Sequence, residues 1–128
     1  MDGRRLKIFF DGGCRPNPGA MEIAVVARGQ TWITHDLGHG TSADAEWLAL
    51  IEAIRIARSL DEPDAVLLGD SAMVVAQANG VSKCRGENLQ RHLETFRRLA
   101  AAGPAPRVRH IKRSQNLAGI ALAKTHDQ

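Results

Sequence analysis

The hydrophobic period of this chain changes once, and that change constrains the fold more than any other feature. Up to Gly40 apolar residues alternate with a period of two; from "ADAEWLALIEAIRIARSL" onward, helical spacing takes turns with short apolar runs. "RRLKIFFDGG" puts Leu6, Ile8 and Phe10 on one face of a strand and Lys7, Phe9 and Asp11 on the other. "EIAVVARG" and "TWITHDLG" follow as two further strands, with Gly29-Gln30 as the expected hairpin turn.

Beyond "HGTS", Trp47, Leu48, Leu50, Ile51, Ile54 and Ala57 recur at helical spacing, with Thr41 and Asp44 placed for a capping box and Pro63 as the stop. "DAVLLGD" reads as a buried strand and "SAMVVAQANG" as a short helix closed by Asn79-Gly80. "ENLQRHLETFRRLAAAG" is an amphipathic helix, "PRVRHIK" a strand and "SQNLAGIALAK" a terminal helix. The order β-β-β-α-β-α-α-β-α predicts an α/β fold, in which helical crossovers join parallel strands to an antiparallel edge and helices cover both faces of a mixed sheet. At 128 residues the chain is expected to form a single domain over 1–128.

Net charge is only +3, but the basic residues are uneven: Arg91, Arg97, Arg98, Arg107, Arg109, Lys112 and Arg113 face a single acid, Glu94, between 91 and 113. Such a stretch attracts a polyanion or simply solvates a helix face. Cys14 and Cys84 stand without a CxxC pair, which argues against a zinc site or a disulfide scaffold and makes a reducing cytoplasm the expected setting. No run approaches about 18 apolar residues, so a membrane span is not expected.

In open α/β sheets, sites form beyond the carboxyl ends of parallel strands. Asp11 and Asp70 each follow an apolar strand there, and Glu46 lies in the first turn of its helix on the side of Leu50, Ala53 and Ala57. Each acid has an ordinary reading, as turn former, N-cap or partner of the helix dipole. Their coincidence on one rim favours another: three clustered carboxylates repel one another unless a divalent cation joins them, and oxygen ligands select Mg²⁺ or Mn²⁺ over zinc.

"FFDGGCRPNPG", "TSADAEWLALIEAI", "LLGDSAMVVAQANG" and "RSQNLAGIALA" resemble, in order and spacing, the type I ribonuclease H family over nearly the whole chain. The resemblance implies a five-stranded mixed sheet in the order 3-2-1-4-5, three antiparallel strands then two parallel. It also implies an endoribonuclease that cleaves the RNA strand of RNA–DNA hybrids with one or two Mg²⁺ or Mn²⁺ ions, acting as a monomer. Asp11, Glu46 and Asp70 match metal ligands, and Arg113 a loop position assisting catalysis or product release. Gly12, Gly13, Cys14, Asn17, Thr41, Ser71 and Asn116 match substrate-binding positions, with Asn17 at the minor groove and Thr41 at a DNA phosphate. Only "VSKCRG" separates the second and third helices, so the chain resembles the compact form of the family without its basic protrusion.

The pattern breaks in the last helix. Where the family carries a fourth metal-binding Asp, aligning Asn116 and Leu122-Ala123 puts Ile120. An isoleucine cannot ligate a cation, so the resemblance leaves two readings: an enzyme working, with reduced activity, through three carboxylates, or a catalytically impaired hybrid- or nucleic-acid-binding domain of the same fold. Asp127 lies roughly 10 Å of helix rise from Ile120, so it or His126 reaches the site only if the terminus folds back.

Overall fold

The structure, a computed structural model, describes residues 5–126. The first part is antiparallel: β1 (Leu6–Arg15), β2 (Gly19–Ala27), β3 (Gln30–Thr34) and a short β4 (His39–Gly40). Then come α1 (Ser42–Ser59), β5 (Ala65–Gly69), α2 (Ala72–Ala78), α3 (Glu87–Ala101), β6 (Arg107–His110), a 3₁₀ turn at Arg113–Gln115 and α4 (Leu117–Lys124). The sheet runs β3-β2-β1-β5-β6, antiparallel on the β3 side of β1 and parallel beyond it. This is the expected spatial order, with one addition: β4 pairs with the start of β2, Gly19 opposite Gly40. Two residues without apolar alternation carry no strand signal; in the structure Gly40 lies close against Met21, where a Cβ would come 2.6 Å from the sulfur.

Several boundaries differ from expectation. The hairpin turn is Arg28-Gly29, one residue earlier than read, and both residues have positive φ, as a two-residue turn matched to strand twist requires. β1 continues past its two glycines to Arg15 because residues 9–15 are all paired with β2. The terminal helix begins later, at Leu117, because Arg113–Gln115 form the tighter turn and Asn116 caps α4.

The strand alternation decides which face each helix covers. Ile8, Phe10, Ile23 and Val25 pack with Trp47, Leu50 and Ile54 of α1, Val74 of α2 and Phe96 of α3. Phe9, Ala24 and Val26 point the other way, against Ala118 and Leu122 of α4. Three helices therefore cover one face and one short helix the other. The capping box opens α1 as expected: the Thr41 side chain accepts from the Asp44 N–H, and Asp44 accepts from the Thr41 N–H. Inside the larger core, Trp47 Nε1 donates to Gln77 Oε1 at 3.1 Å, both residues being buried. Gln77→Leu leaves that indole N–H without a partner and should cost about 1–3 kcal/mol in chemical denaturation; an unchanged midpoint would show that the bond contributes nothing.

Candidate active site

Parallel pairing brings the two strand-end acids together. Phe9 lies opposite Leu68 across β1 and β5, so Asp11 and Asp70, each two residues further, emerge side by side. Glu46 arrives from the first turn of α1, where the Gly12 N–H donates to its Oε1 at 3.0 Å. That approach requires glycine: a Cβ on Gly12 would lie 2.1 Å from the Ala45 carbonyl oxygen and 2.6 Å from the Glu46 nitrogen. As a result, one carboxylate oxygen each from Asp11, Glu46 and Asp70 lie within 4.8 Å of one another.

The ordinary readings of these acids do not account for the arrangement. Ser71, not Asp70, caps α2, its hydroxyl accepting from the Val74 N–H at 3.3 Å. Asp70 instead accepts from Asn116 Nδ2 at 2.9 Å. The same Nδ2 donates to the Phe10 carbonyl at 3.0 Å, while Asn116 Oδ1 accepts the Ala118 N–H at 3.1 Å. Asn116, expected as a substrate contact, is 0% exposed with its amide fully engaged, so it positions Asp70 from within. Cys14 is likewise buried, its sulfur 3.1 Å from the carbonyl oxygens of Pro16 and Gly40, which removes its side chain from any substrate surface.

Other expected contacts do reach the surface. Asn17 is exposed and clasps Ser42 through both amide atoms, at 3.0 and 3.1 Å, tying the β1–β2 loop to the start of α1. Thr41 is exposed beside it, and His92 of α3 donates to the Asp44 carboxylate of its capping box at 3.0 Å. Arg113 is exposed at the head of the 3₁₀ turn, next to the acid cluster.

Burial and mutual repulsion dominate the electrostatics. Asp11 is pushed up to about 7, chiefly by desolvation and then by the Asp70 charge, with Arg113 opposing. Glu46 is pushed up to about 8 by desolvation and the Asp11 charge, against the Gly12 N–H, which favours its ionised form. Three oxygen donors that resist ionising together, without imidazole or thiol among them, suit a hard divalent cation and not zinc.

A cavity of about 450 Å³ opens beside the cluster, lined by Asp11, Asp70, Arg113, Ile120, Glu22 and His126. Ile120 is 41% exposed, an unusual position for a large apolar side chain, and it presents no oxygen. The end of α4 does bring His126 to this cavity, where it pairs with Glu22; Asp127 lies outside the described residues. The sequence reading passed over Glu22. Strand alternation was the available signal, since Gly13 opposite Glu22 and Asp11 opposite Ala24 place that acid on the same face as Asp11.

The family described as reverse transcriptase-like matches residues 9–126. The chain belongs to that family. Ribonuclease HI of Halobacterium salinarum is 31% identical over 126 residues, 94% of this chain and 63% of that protein, so the chain spans less than two thirds of that relative. The crystal structure of ribonuclease H1 from the same archaeon superposes with a TM-score of 0.85 at 28% identity, covering 93% of this chain and 94% of that one. LC11 ribonuclease H1, solved in complex with an RNA/DNA hybrid, gives a TM-score of 0.84 at 25% identity, with 92% and 93% covered. The resemblance of this family member to type I ribonuclease H therefore holds in sequence and in fold. No helix among the described residues is long and apolar enough to cross a membrane.

A carboxyl whose folded pKa lies above its unfolded value contributes stability that is complete below the unfolded pKa and lost as pH rises through the folded one. With ordinary values of 3.8 and 4.5 raised to about 7 and about 8, metal-free protein should lose stability between pH 4 and 8. Thermal unfolding in a chelator should show this slope, reduced in Asp11→Asn, which should melt higher than the parent at pH 8. Identical melting curves would mean that the acids do not repel as described.

Proposed function

We propose that this chain is an endoribonuclease that hydrolyses the RNA strand of RNA–DNA hybrids with the help of Mg²⁺ or Mn²⁺, acting as a monomeric single domain over 1–128 in a reducing cytoplasm. The observation that carries the reading is the meeting of Asp11, Glu46 and Asp70 within 4.8 Å at the end of two parallel strands. Solved relatives of the same fold, one of them bound to a hybrid, support the substrate.

Asp11, Glu46 and Asp70 would hold the cation. A divalent ion there supplies a polarised water and charge stabilisation for the leaving oxygen. The rest is work for the chain. Asn116 fixes the Asp70 oxygen and the Phe10 backbone together, so a ligand and the strand that carries Asp11 keep their spacing. The Gly12 N–H orients Glu46. Arg113, solvent-exposed beside the acids, is placed to meet a phosphate and partly offsets their charge.

Hybrid recognition is assigned to groove shape and 2′-hydroxyls more than to base identity, with Gly13, Asn17, Thr41 and Ser71 along the contact surface. Arg91, Arg97 and Arg98 are exposed on α3, as are Arg107, Arg109 and Lys112, and they stand in for the absent basic protrusion. A second reading, a hybrid-binding domain with impaired catalysis, is favoured by one feature, the exposed Ile120 where the family has an acid.

Cleavage of a labelled hybrid separates them. The proposed nuclease cuts the RNA strand in Mg²⁺ or Mn²⁺, Asp11→Asn abolishes cutting, and Ile120→Asp raises it. Salt-sensitive binding without cleavage in either ion would establish the second reading.

A further inference from the structure

The site lacks an oxygen at Ile120, yet the cavity beside that residue is not without one. Glu22 projects from β2 on the face of Asp11, directly across from Gly13. The Glu22 Oε2 atom lies 3.7 Å from where a Gly13 Cβ would be, an ordinary contact distance, so Glu22 leans over the strand that carries Asp11. On the far side, Gly119 places α4 close to Asp11, with a would-be Cβ 3.5 Å from the Asp11 Oδ2. Glu22 and Asp11 thus border one cavity, with Ile120 in its wall.

Glu22 is also held unlike a solvated surface acid. Only 12% of its side chain is exposed, and an imidazole engages each oxygen: His35 Nδ1 meets Oε1 at 2.9 Å, and His126 Nε2 meets Oε2. An ionised carboxylate only accepts, so both rings donate, and each oxygen keeps a lone pair free. Ligand carboxylates are commonly fixed in this way by hydrogen bonds from outside the metal shell. The two histidines come from separate elements, one just beyond β3 and one at the end of α4, and they converge on this one acid.

We propose that Glu22 is the carboxylate that serves a divalent cation on the Ile120 side of the site, with His35 and His126 as positioning residues. It is a replacement reached from the sheet instead of from the last helix. The assignment rests on the metal-dependent reading above but is tested apart from it.

Mn²⁺ titration of the full chain, with free Mn²⁺ read by electron paramagnetic resonance, supplies a readout that needs no turnover. In Glu22→Gln, one Mn²⁺ should be lost or weakened at least tenfold while Tm in chelator stays within a few degrees. Adding Ile120→Asp to that variant should restore the ion, because it returns an oxygen to the same side. His126→Ala should weaken the same ion by about tenfold or more. Glu22→Gln that binds Mn²⁺ with the parent's number and affinities overturns the proposal, as does a loss that Ile120→Asp leaves unrepaired. A parent that loads Mn²⁺ through Glu22 but never cleaves hybrid would instead sink the nuclease reading and leave this assignment standing.

Discussion

The site depends on the parallel pairing of β1 with β5 and on the single amide that secures it. Register alone sets Asp11 and Asp70 at the same height on adjacent strands. Two carboxylates at neighbouring strand ends repel, and the fold holds them with Asn116, whose side chain binds the Phe10 carbonyl, the Asp70 carboxylate and the first turn of α4. One buried residue thus couples both central strands to the last helix. A loosened Asn116 would release a carboxylate, a strand end and a helix cap together.

Around that clamp, the chain keeps its acids close enough to share an ion at the expense of the metal-free state. Desolvation is the largest cause of the raised values at both Asp11 and Glu46, ahead of any neighbouring charge. Three acids held in this way could bind a divalent cation. Arg113, exposed at the edge of the cluster, offsets only part of the repulsion. Gly12 shows the same priority in steric form, since it gives up a side chain so that α1 can bring Glu46 onto the end of β1.

The opposite rim combines an apolar and a polar wall. Ile120 presents an apolar side chain to solvent on the last helix, while Glu22 of β2, paired with His35 and His126, is a polar group bordering the same cavity. Elsewhere on the surface, Asn17, Ser42 and Thr41 are knit by hydrogen bonds within the chain, which fix the β1–β2 loop against the start of α1.

Much of this was legible in the sequence, because periodicity and punctuation are local. The change of period separated the antiparallel edge from the crossovers; Thr41 and Asp44 announced the cap; Asp11, Asp70 and Glu46 could be placed on one rim from strand ends and a helix start alone. What sequence reasoning missed depends on residues far apart in the chain. Strand β4 exists only as a partner of Gly19 and Ala20 in β2, the burial of Asn116 and Cys14 follows from what packs over them, and Glu22 gains its two histidines from positions 35 and 126. The sequence by itself determined the order of elements, the faces of each strand and the three acids, since these follow from spacing along one chain. Only the tertiary structure decided which polar groups are buried, which are paired and which border the cavity, because those properties belong to contacts between elements and not to any one of them.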